Sequence, residues 1–225
     1  MTILILTPLP IEFQAVVCHL SNNRKSIVKN SAAYEIGDFS GNQGHAKIII
    51  REPGMRVVDM AIATERAIQE YKPQIALLVG IAGGVKDVKL GDVVVAKKAY
   101  GYESGKEDKD GFKARPNVEA FSQELLAHAQ ILSKNNTWKK RTSDGAQEAK
   151  VFFGAIAAGD KLISDENSQT LMRIKVSVQN SNALSLCLRA ISLGKGIIFL
   201  VPDTKSVRYS KAETPSFLAV SMMDK

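Results

Sequence analysis

The stretch Ile75–Gly84 reads Ile-Ala-Leu-Leu-Val-Gly-Ile-Ala-Gly-Gly, and it decides the fold class. Its first part, Ile75–Val79, is an uninterrupted apolar run, typical of a strand inside a mostly parallel sheet covered on both faces. Gly80, Gly83 and Gly84 then predict a turn at the carboxyl end of that strand. Because ligands in open α/β sheets bind beyond the carboxyl ends of strands, this turn is the first candidate site.

The segments on both sides of this stretch predict strands that alternate with helices. Short apolar or alternating runs predict the strands, and longer runs with the helical period predict the helices. Such alternation predicts a layered α/β domain with a mainly parallel sheet. The predicted strands are Ile3–Leu6, Tyr34–Phe39, Ala46–Ile50, Leu90–Ala96 and Val151–Ala157, and the predicted helices are Ile11–Leu20, Val57–Tyr71, Glu119–Leu132 and Ser168–Ile174. The polar segment 102–117 predicts a loop that covers a site or moves.

The composition is ordinary for a soluble globular protein. A chain of 225 residues, of which 45% are hydrophobic, predicts one α/β domain over residues 1–225 that buries its core without disulfides. The net charge of +7 could suit nucleic acid, a membrane surface or an anionic substrate. The lysines are scattered, however, and the densest basic cluster, Lys139–Arg141, is short. We therefore expect no nucleic-acid partner.

The N-terminal segment and the cysteines bear on the cellular compartment and on metal binding. The apolar run Ile3–Leu6 has no basic region before it and is too short for a signal peptide or membrane span, which favours a cytoplasmic protein without a membrane partner. Cys18 and Cys187 lie far apart in apolar surroundings, so we expect two buried thiols, and a bridge between them stays open. No Cys/His cluster has metal-ligand spacing, and no metal or organic cofactor is predicted.

Two acidic residues are candidates for chemistry. Glu12 follows the first strand in a turn containing Pro8 and Pro10, where a carboxylate could act as a general base on water. The same position also suits a carboxylate that simply stabilises the start of a helix. Asp160, in Gly159-Asp160 after an apolar strand, could cap the helix that follows or take part in chemistry.

Several segments along the first three-quarters of the chain follow one another in a characteristic order. A strand enters a proline-containing turn with a glutamate, a glycine turn precedes a long helix, a strand ends in glycines, and two Gly-Asp pairs follow. These segments are Ile5–Glu12, Pro53–Met55, Val79–Gly84, Leu90–Val95 and Ala157–Ile163. Their order and spacing resemble the nucleoside phosphorylase and nucleosidase superfamily, most of all its methylthioadenosine and S-adenosylhomocysteine nucleosidases.

The resemblance implies a three-layer phosphorylase-like α/β fold, with a mixed, mostly parallel central sheet flanked by helices. It also implies hydrolysis of the N-glycosidic bond of an adenine nucleoside, without a cofactor, in a homodimer or higher homo-oligomer. By resemblance Glu12 would activate water. The substrate-binding residues would be Ile81, Ala82, Gly83 and Gly84 on the ribose side and Leu162 and Ile163 on the purine side.

Phosphorolytic members of the superfamily carry arginines near the first turn and just before the glycine run. Here Val79 precedes Gly80, and Arg51 is the nearest arginine without standing at a matching position. The resemblance therefore favours hydrolysis over phosphorolysis.

From about residue 183 the chain departs from the resemblance. A Val-Glu-Met-Glu-Gly segment with a ribose-binding glutamate is expected, but Ser185–Ala190 reads Ser-Leu-Cys-Leu-Arg-Ala. A later Arg-Gly-Ile-Ser-Asp segment should supply the acid that protonates the purine, yet Leu193 follows the similar letters Arg189–Ser192. Asp203 is the one aspartate nearby, and its neighbours do not match the motif.

Three functions and two explanations of the tail follow from this departure. The chain is a nucleosidase with impaired activity, a non-catalytic module that binds or senses a purine nucleoside or nucleotide, or a nucleoside phosphorylase. The tail from about residue 183 is either true divergence or a shifted reading frame, which the coding DNA would decide.

Overall fold

The computed structural model describes residues 1–21, 23–41, 44–84, 88, 92–115, 118–135, 150–160, 169, 170, 172, 174, 185–188 and 196–203, the last two ranges through their backbone. Three helices and twelve strands are defined within these ranges. They are β1 Thr2–Leu6, α1 Pro10–Val17, β2 Lys25–Lys29, β3 Ala32–Gly41, β4 Gly44–Arg51, α2 Val57–Tyr71, β5 Ile75–Gly84, β6 Val93–Gly101, β7 Gly105–Asp108, β8 Gly111–Ala114, β9 Val118–Ala120, α3 Gln123–Ser133, β10 Val151–Ala158, β11 Ser185–Leu188 and β12 Gly196–Asp203.

Ten of the described strands form one mixed sheet, in the order β11-β10-β6-β12-β5-β1-β4-β3-β2 with β9 beside β6. The strands β4, β1, β5 and β12 run parallel to one another, so their carboxyl ends lie on one edge. The strand β11 pairs with both β10 and β5, and so closes a ring of strands with β6 and β12. The expected mixed α/β sheet with flanking helices is confirmed.

Strand β1 shows why this part of the sequence is apolar throughout. Ile3 and Ile5 pack with Val16 and Val17 of α1 on one face of the sheet. Leu4 and Leu6 belong to the cluster on the other face, which includes Met60 and Ala67 of α2. Because successive strand residues point to opposite faces, a strand covered on both sides needs an apolar residue at every position.

Helix α2 spans the predicted range Val57–Tyr71. Its buried positions Met60, Ala63, Thr64 and Ala67 follow the helical period and face the sheet. Lys72 ends it in the left-handed conformation with φ 45°, and Pro73, which cannot continue a helix, follows.

The glycine run differs from the prediction, because it forms a strand and no turn. Strand β5 continues through Gly84, paired with β12 on one side as far as Gly83. Gly83 and Gly84 also pair with Cys187 and Leu186 of β11. Backbone pairing from partners distant in sequence therefore extends the strand past its apolar part, where local residue preference predicts a break.

Three smaller expectations are corrected. The polar segment after Tyr102 contains a two-stranded hairpin, β7–β8, instead of a continuous loop. Helix α3 begins at Gln123, because the preceding Val118–Ala120 pairs with β6. Cys18 is exposed and free, not buried, and its Sγ donates to the Ala15 carbonyl at 3.0 Å.

Two further observations complete the fold. Residues 169, 170, 172 and 174 are helical, as predicted for Ser168–Ile174, whose other residues lie outside the described ones. Among the helices that the structure describes, none is long and apolar enough to cross a membrane.

Candidate functional site

The carboxylate of Glu12 lies at the carboxyl ends of β1 and β5. Leu9 has an extended backbone and precedes α1, which begins with Pro10, so Glu12 falls in the first helical turn. The Leu9 N–H donates to Glu12 Oε2 at 2.7 Å, and the Ile81 N–H donates to Oε1 at 2.7 Å. Both oxygens are therefore held by backbone donors, one from the helix start and one from β5. Glu12 therefore stabilises the start of α1, as one of the two interpretations predicts, and it also binds the glycine-rich strand β5.

Gly80 makes room for this carboxylate. A Cβ at Gly80 would lie 2.9 Å from Glu12 Oε1 and 3.3 Å from Oε2, which is too close for a side chain without movement. Glycines at the end of a strand can let a ligand approach the backbone closely. The structure shows that Gly80 allows close approach of the protein's own acidic group.

Burial determines the protonation of Glu12. The residue is 2% exposed, and desolvation raises the pKa of its carboxyl from 4.5 to about 7. The bonds from Ile81 and Leu9 oppose this rise, and the nearby charge of Glu52 adds to it. A carboxyl with a pKa near 7 can exchange a proton with a bound water at neutral pH.

The other predicted site residues lie in three different settings. Ile81 is partly buried and its N–H is bonded to Glu12, whereas the Ala82 side chain belongs to the core cluster beneath the sheet. Gly83 and Gly84 are paired backbone positions of β5 next to β11. Leu162 and Ile163 lie outside the described residues.

Asp203 is placed next to this site by the topology. Strand β12 runs parallel to β5, with Asp203 in register with Gly83. Since neighbouring strands are about 4.8 Å apart and residues along a strand about 3.3 Å apart, the Asp203 backbone lies roughly 8 Å from that of Ile81. The neighbours of Asp203 do not match the expected motif, and the signal that the sequence offers is the apolar, strand-length run Gly196–Val201 before it.

Asp92, from the first of the two Gly-Asp pairs, and Arg51 both join separate elements of the fold. Asp92, which is 6% exposed, accepts the Lys150 N–H at 2.9 Å and so joins the starts of β6 and β10. Arg51 donates to the Ala63 carbonyl at 2.9 Å and to the Tyr34 hydroxyl at 3.2 Å, and its guanidinium lies over the Tyr34 ring. The Arg51 cation is thus directed towards α2 and β3.

Possible metal ligands can be compared in position among the His, Cys, Asp and Glu side chains of the described residues. Among them, no group of three or more His, Cys, Asp or Glu side chains is arranged to hold an ion. His19, His45 and His128 are all exposed.

Comparisons with known proteins agree with the sequence resemblance. Residues 2–182 match the model of the phosphorylase superfamily, a boundary close to the predicted departure at about residue 183. A methylthioadenosine/S-adenosylhomocysteine nucleosidase of Exiguobacterium is 28% identical over 137 residues, 56% of this chain and 52% of the relative. That of Haemophilus influenzae is 27% identical over 164 residues, 68% of this chain and 64% of the relative. The chain thus spans between half and two-thirds of the length of these curated relatives.

Solved structures show the same fold. The nucleosidase of Campylobacter jejuni superposes with a TM-score of 0.70 at 18% identity, covering 95% of this chain and 90% of that one. The adenine complex of the Colwellia psychrerythraea nucleosidase gives 0.68 at 18%, covering 89% and 81%. A futalosine hydrolase mutant of Helicobacter pylori gives 0.68 at 18%, covering 90% and 89%. These likenesses establish the phosphorylase-like fold, and together with the match over residues 2–182 they lead to one conclusion: the chain belongs to the phosphorylase superfamily.

Proposed function

We propose that this chain hydrolyses the N-glycosidic bond of an adenine nucleoside of the methylthioadenosine or S-adenosylhomocysteine class. The observation that carries the proposal is the buried Glu12 carboxyl, held at both oxygens beside the glycine-rich strand, with its pKa raised to about 7. The nucleosidase relatives, at 27% and 28% identity, support this choice of reaction and substrate class.

In the proposed reaction, water attacks the anomeric carbon of the ribose as the bond to the purine nitrogen breaks. Ionised Glu12 accepts the proton of the water, so a C–O bond replaces the C–N bond and the sugar leaves as a free ribose derivative. The ribose carries positive charge in the oxocarbenium-like transition state, as in other glycoside cleavage, and the nearby carboxylate stabilises that charge. Ile81, Ala82, Gly83 and Gly84 are proposed for the ribose side, and Leu162 and Ile163 for the purine.

The leaving purine needs a proton of its own, for which we propose Asp203. Its position at the carboxyl end of β12, in register with Gly83, supports this role. Two carboxyl groups on opposite sides of a scissile glycosidic bond are the usual arrangement for an acid and a base. No residue is proposed for the missing ribose-binding glutamate.

Hydrolysis is preferred to phosphorolysis because Arg51 is engaged in the fold. Its Nη1 donates to the Ala63 carbonyl and to the Tyr34 hydroxyl, which directs the guanidinium towards α2 and β3. Cleavage that proceeds at full rate without phosphate would support hydrolysis.

A binding or sensing module is the second candidate. The end of the family match at residue 182, before the expected ribose-binding segment, favours it. Such a module would bind the nucleoside saturably and release no adenine.

We also propose a cytoplasmic homodimer or higher homo-oligomer. An apolar stripe on α2, formed by Val58 and Ile62 with Met55 just before the helix, supports this, since all three are at least 44% exposed. Light scattering after gel filtration would measure the mass, and a monomer at micromolar concentration would contradict the proposal.

The deciding experiment measures adenine release from methylthioadenosine, S-adenosylhomocysteine and adenosine, with and without phosphate. Glu12→Gln is expected to lower the rate by about 10²–10⁴. A glutamine nitrogen cannot accept a hydrogen bond from the Leu9 or Ile81 N–H. The Tm of the Glu12→Gln variant is therefore measured as well, to detect a loss of stability.

The matched control is Glu35→Gln. Glu35 is also a buried carboxylate, bonded to Ser26 at 2.6 Å and paired with Arg24 at 3.3 Å, but β4 separates its strand from β1. Its loss should reduce Tm and leave adenine release unchanged. Equal, slow release by wild type and Glu12→Gln would refute catalysis by Glu12.

A further inference from the structure

We infer that Asp160 is a positioning residue, which fixes the start of α2 relative to the segment that follows β10. The inference rests on the proposed function, because that following segment contains Leu162 and Ile163, which we propose face the purine. It concerns how the chain that leads into the proposed purine side is held at Asp160, and it leaves the chemistry at Glu12 unchanged.

Helix α2 lacks a side-chain cap from its own residues. Arg56 occupies the capping position and supplies no side-chain bond to the helix start; its guanidinium pairs with Asp59 at 2.7 Å. The Val57 N–H is instead satisfied by Asp160 Oδ1 at 2.8 Å, from 103 residues away in sequence. Asp160 therefore caps a helix that is distant in sequence.

Asp160 is itself held from another direction. Its N–H donates to Glu103 Oε2 at 2.7 Å, and the adjacent Tyr102 N–H donates to the Ala158 carbonyl at 3.1 Å. Gly159 lies so close to the Tyr102 ring that a Cβ there would be 2.4 Å from it. The segments that follow β4, β6 and β10 thus meet at this one aspartate.

The position of this junction links it to the proposed site. Leu162 and Ile163, which lie outside the described residues, follow Asp160 two and three positions later in the sequence. The donor of the bond to Asp160 is Val57, the first residue of α2, and Pro53–Met55 leads from β4 into this helix. Glu12 is held independently by Leu9 and Ile81, so loss of the Asp160 bond should alter substrate binding more than proton transfer.

If Asp160 served only as a helix cap, its loss would also lower the stability of α2. A second variant therefore separates capping of α2 from the link between the segments. Arg56→Ser gives α2 a cap of its own, because serine at this position accepts backbone N–H bonds of the first turn. The double variant Asp160→Ala/Arg56→Ser should recover the lost helix stability without restoring the link between segments. Asp160→Asn keeps an oxygen acceptor in place and serves as the conservative rescue.

The experiment measures Tm, kcat, KM and the calorimetric Kd for methylthioadenosine in the full chain. We expect Asp160→Ala to lower Tm and to raise KM and Kd on the order of tenfold, with kcat changed by less than about threefold. The double variant should regain Tm but not KM or Kd, and Asp160→Asn should remain near wild type in both.

Recovery of KM and Kd together with Tm in the double variant would reduce Asp160 to a helix cap and overturn the inference. So would unchanged KM and Kd in Asp160→Ala. If wild type binds methylthioadenosine without cleaving it, the proposed reaction fails, while a Kd weakened in Asp160→Ala and not rescued by Arg56→Ser still supports positioning.

Discussion

Strands β5 and β12 lie side by side in the sheet, yet their sequences relate to the superfamily in opposite ways. Strand β5 carries the glycine-rich segment that makes the resemblance recognisable, and its Ile81 N–H binds Glu12. Strand β12 lies beyond the family match, which ends at residue 182, and still pairs with β5 over its whole length from Gly196 to Asp203. Entry into the sheet requires only an apolar strand, whereas a catalytic site requires particular residues at particular positions.

The substitution with the largest expected effect is Asp203→Asn, which tests whether β12 contributes to catalysis. If β12 supplies the acid despite its unfamiliar sequence, adenine release should fall by about 10²–10⁴, since leaving-group protonation contributes that much. The measurement is kcat with methylthioadenosine and with an analogue whose leaving group needs no protonation.

The analogue serves as the control for Asp203→Asn, because it should be cleaved at nearly the wild-type rate. An equal loss with both substrates would indicate damage to the fold. Unchanged kcat would show that β12 contributes structure alone.

The second test concerns the pH dependence of stability on the β5 side. Glu12 has a folded pKa of about 7, above its unfolded value near 4.5, so its neutral form is favoured by folding. Its contribution is fully present below pH 4.5 and is lost as the pH rises through about 7. The predicted loss is on the order of 3 kcal/mol at about 1.4 kcal/mol per pKa unit.

Denaturant unfolding from pH 4 to pH 8, with the Glu12→Gln curve subtracted, isolates this contribution. Activity should follow the opposite course, with kcat/KM rising as the pH passes through about 7 and the Glu12 carboxylate ionises. Parallel pH profiles for wild type and Glu12→Gln would contradict the burial that raises the pKa.

The smallest expected effect is that of Gly80→Ala. The added methyl would press on Glu12 Oε1 at 2.9 Å, which costs about 1–3 kcal/mol if the carboxylate has to move. Urea unfolding measures the cost. Gly101→Ala is the matched control, because among the described residues its Cβ would meet only the Ser104 side chain, at 3.3 Å. Equal losses in the two variants would indicate a general sensitivity of the strand ends.

Local patterns predicted the elements whose residues decide their own conformation. Helix α2 matches its predicted range because its buried face, its end at Lys72 and the following Pro73 are all local signals. The continuation of β5 through Gly84 was missed because its pairing partners in β11 and β12 come from far along the chain.

The candidate site divides in the same way. Glu12 could be chosen from its place after a strand and from the resemblance. Its bond to Ile81, 69 residues away, and the space that Gly80 leaves for it depend on tertiary packing. The part played by Asp160 at the start of α2 likewise has no local signal, because the two segments are 103 residues apart.

The position of β12 has a consequence for the order of events during folding. Strand β5 lies between β1, which is made early, and β12, which is made late. Until β12 docks, one side of an apolar strand carries unpaired backbone groups, the kind of edge that recruits other chains. Pairings so distant in sequence form slowly. We therefore expect the nascent protein to pass through an aggregation-prone interval that ends when residues 196–203 close the gap between β5 and β6.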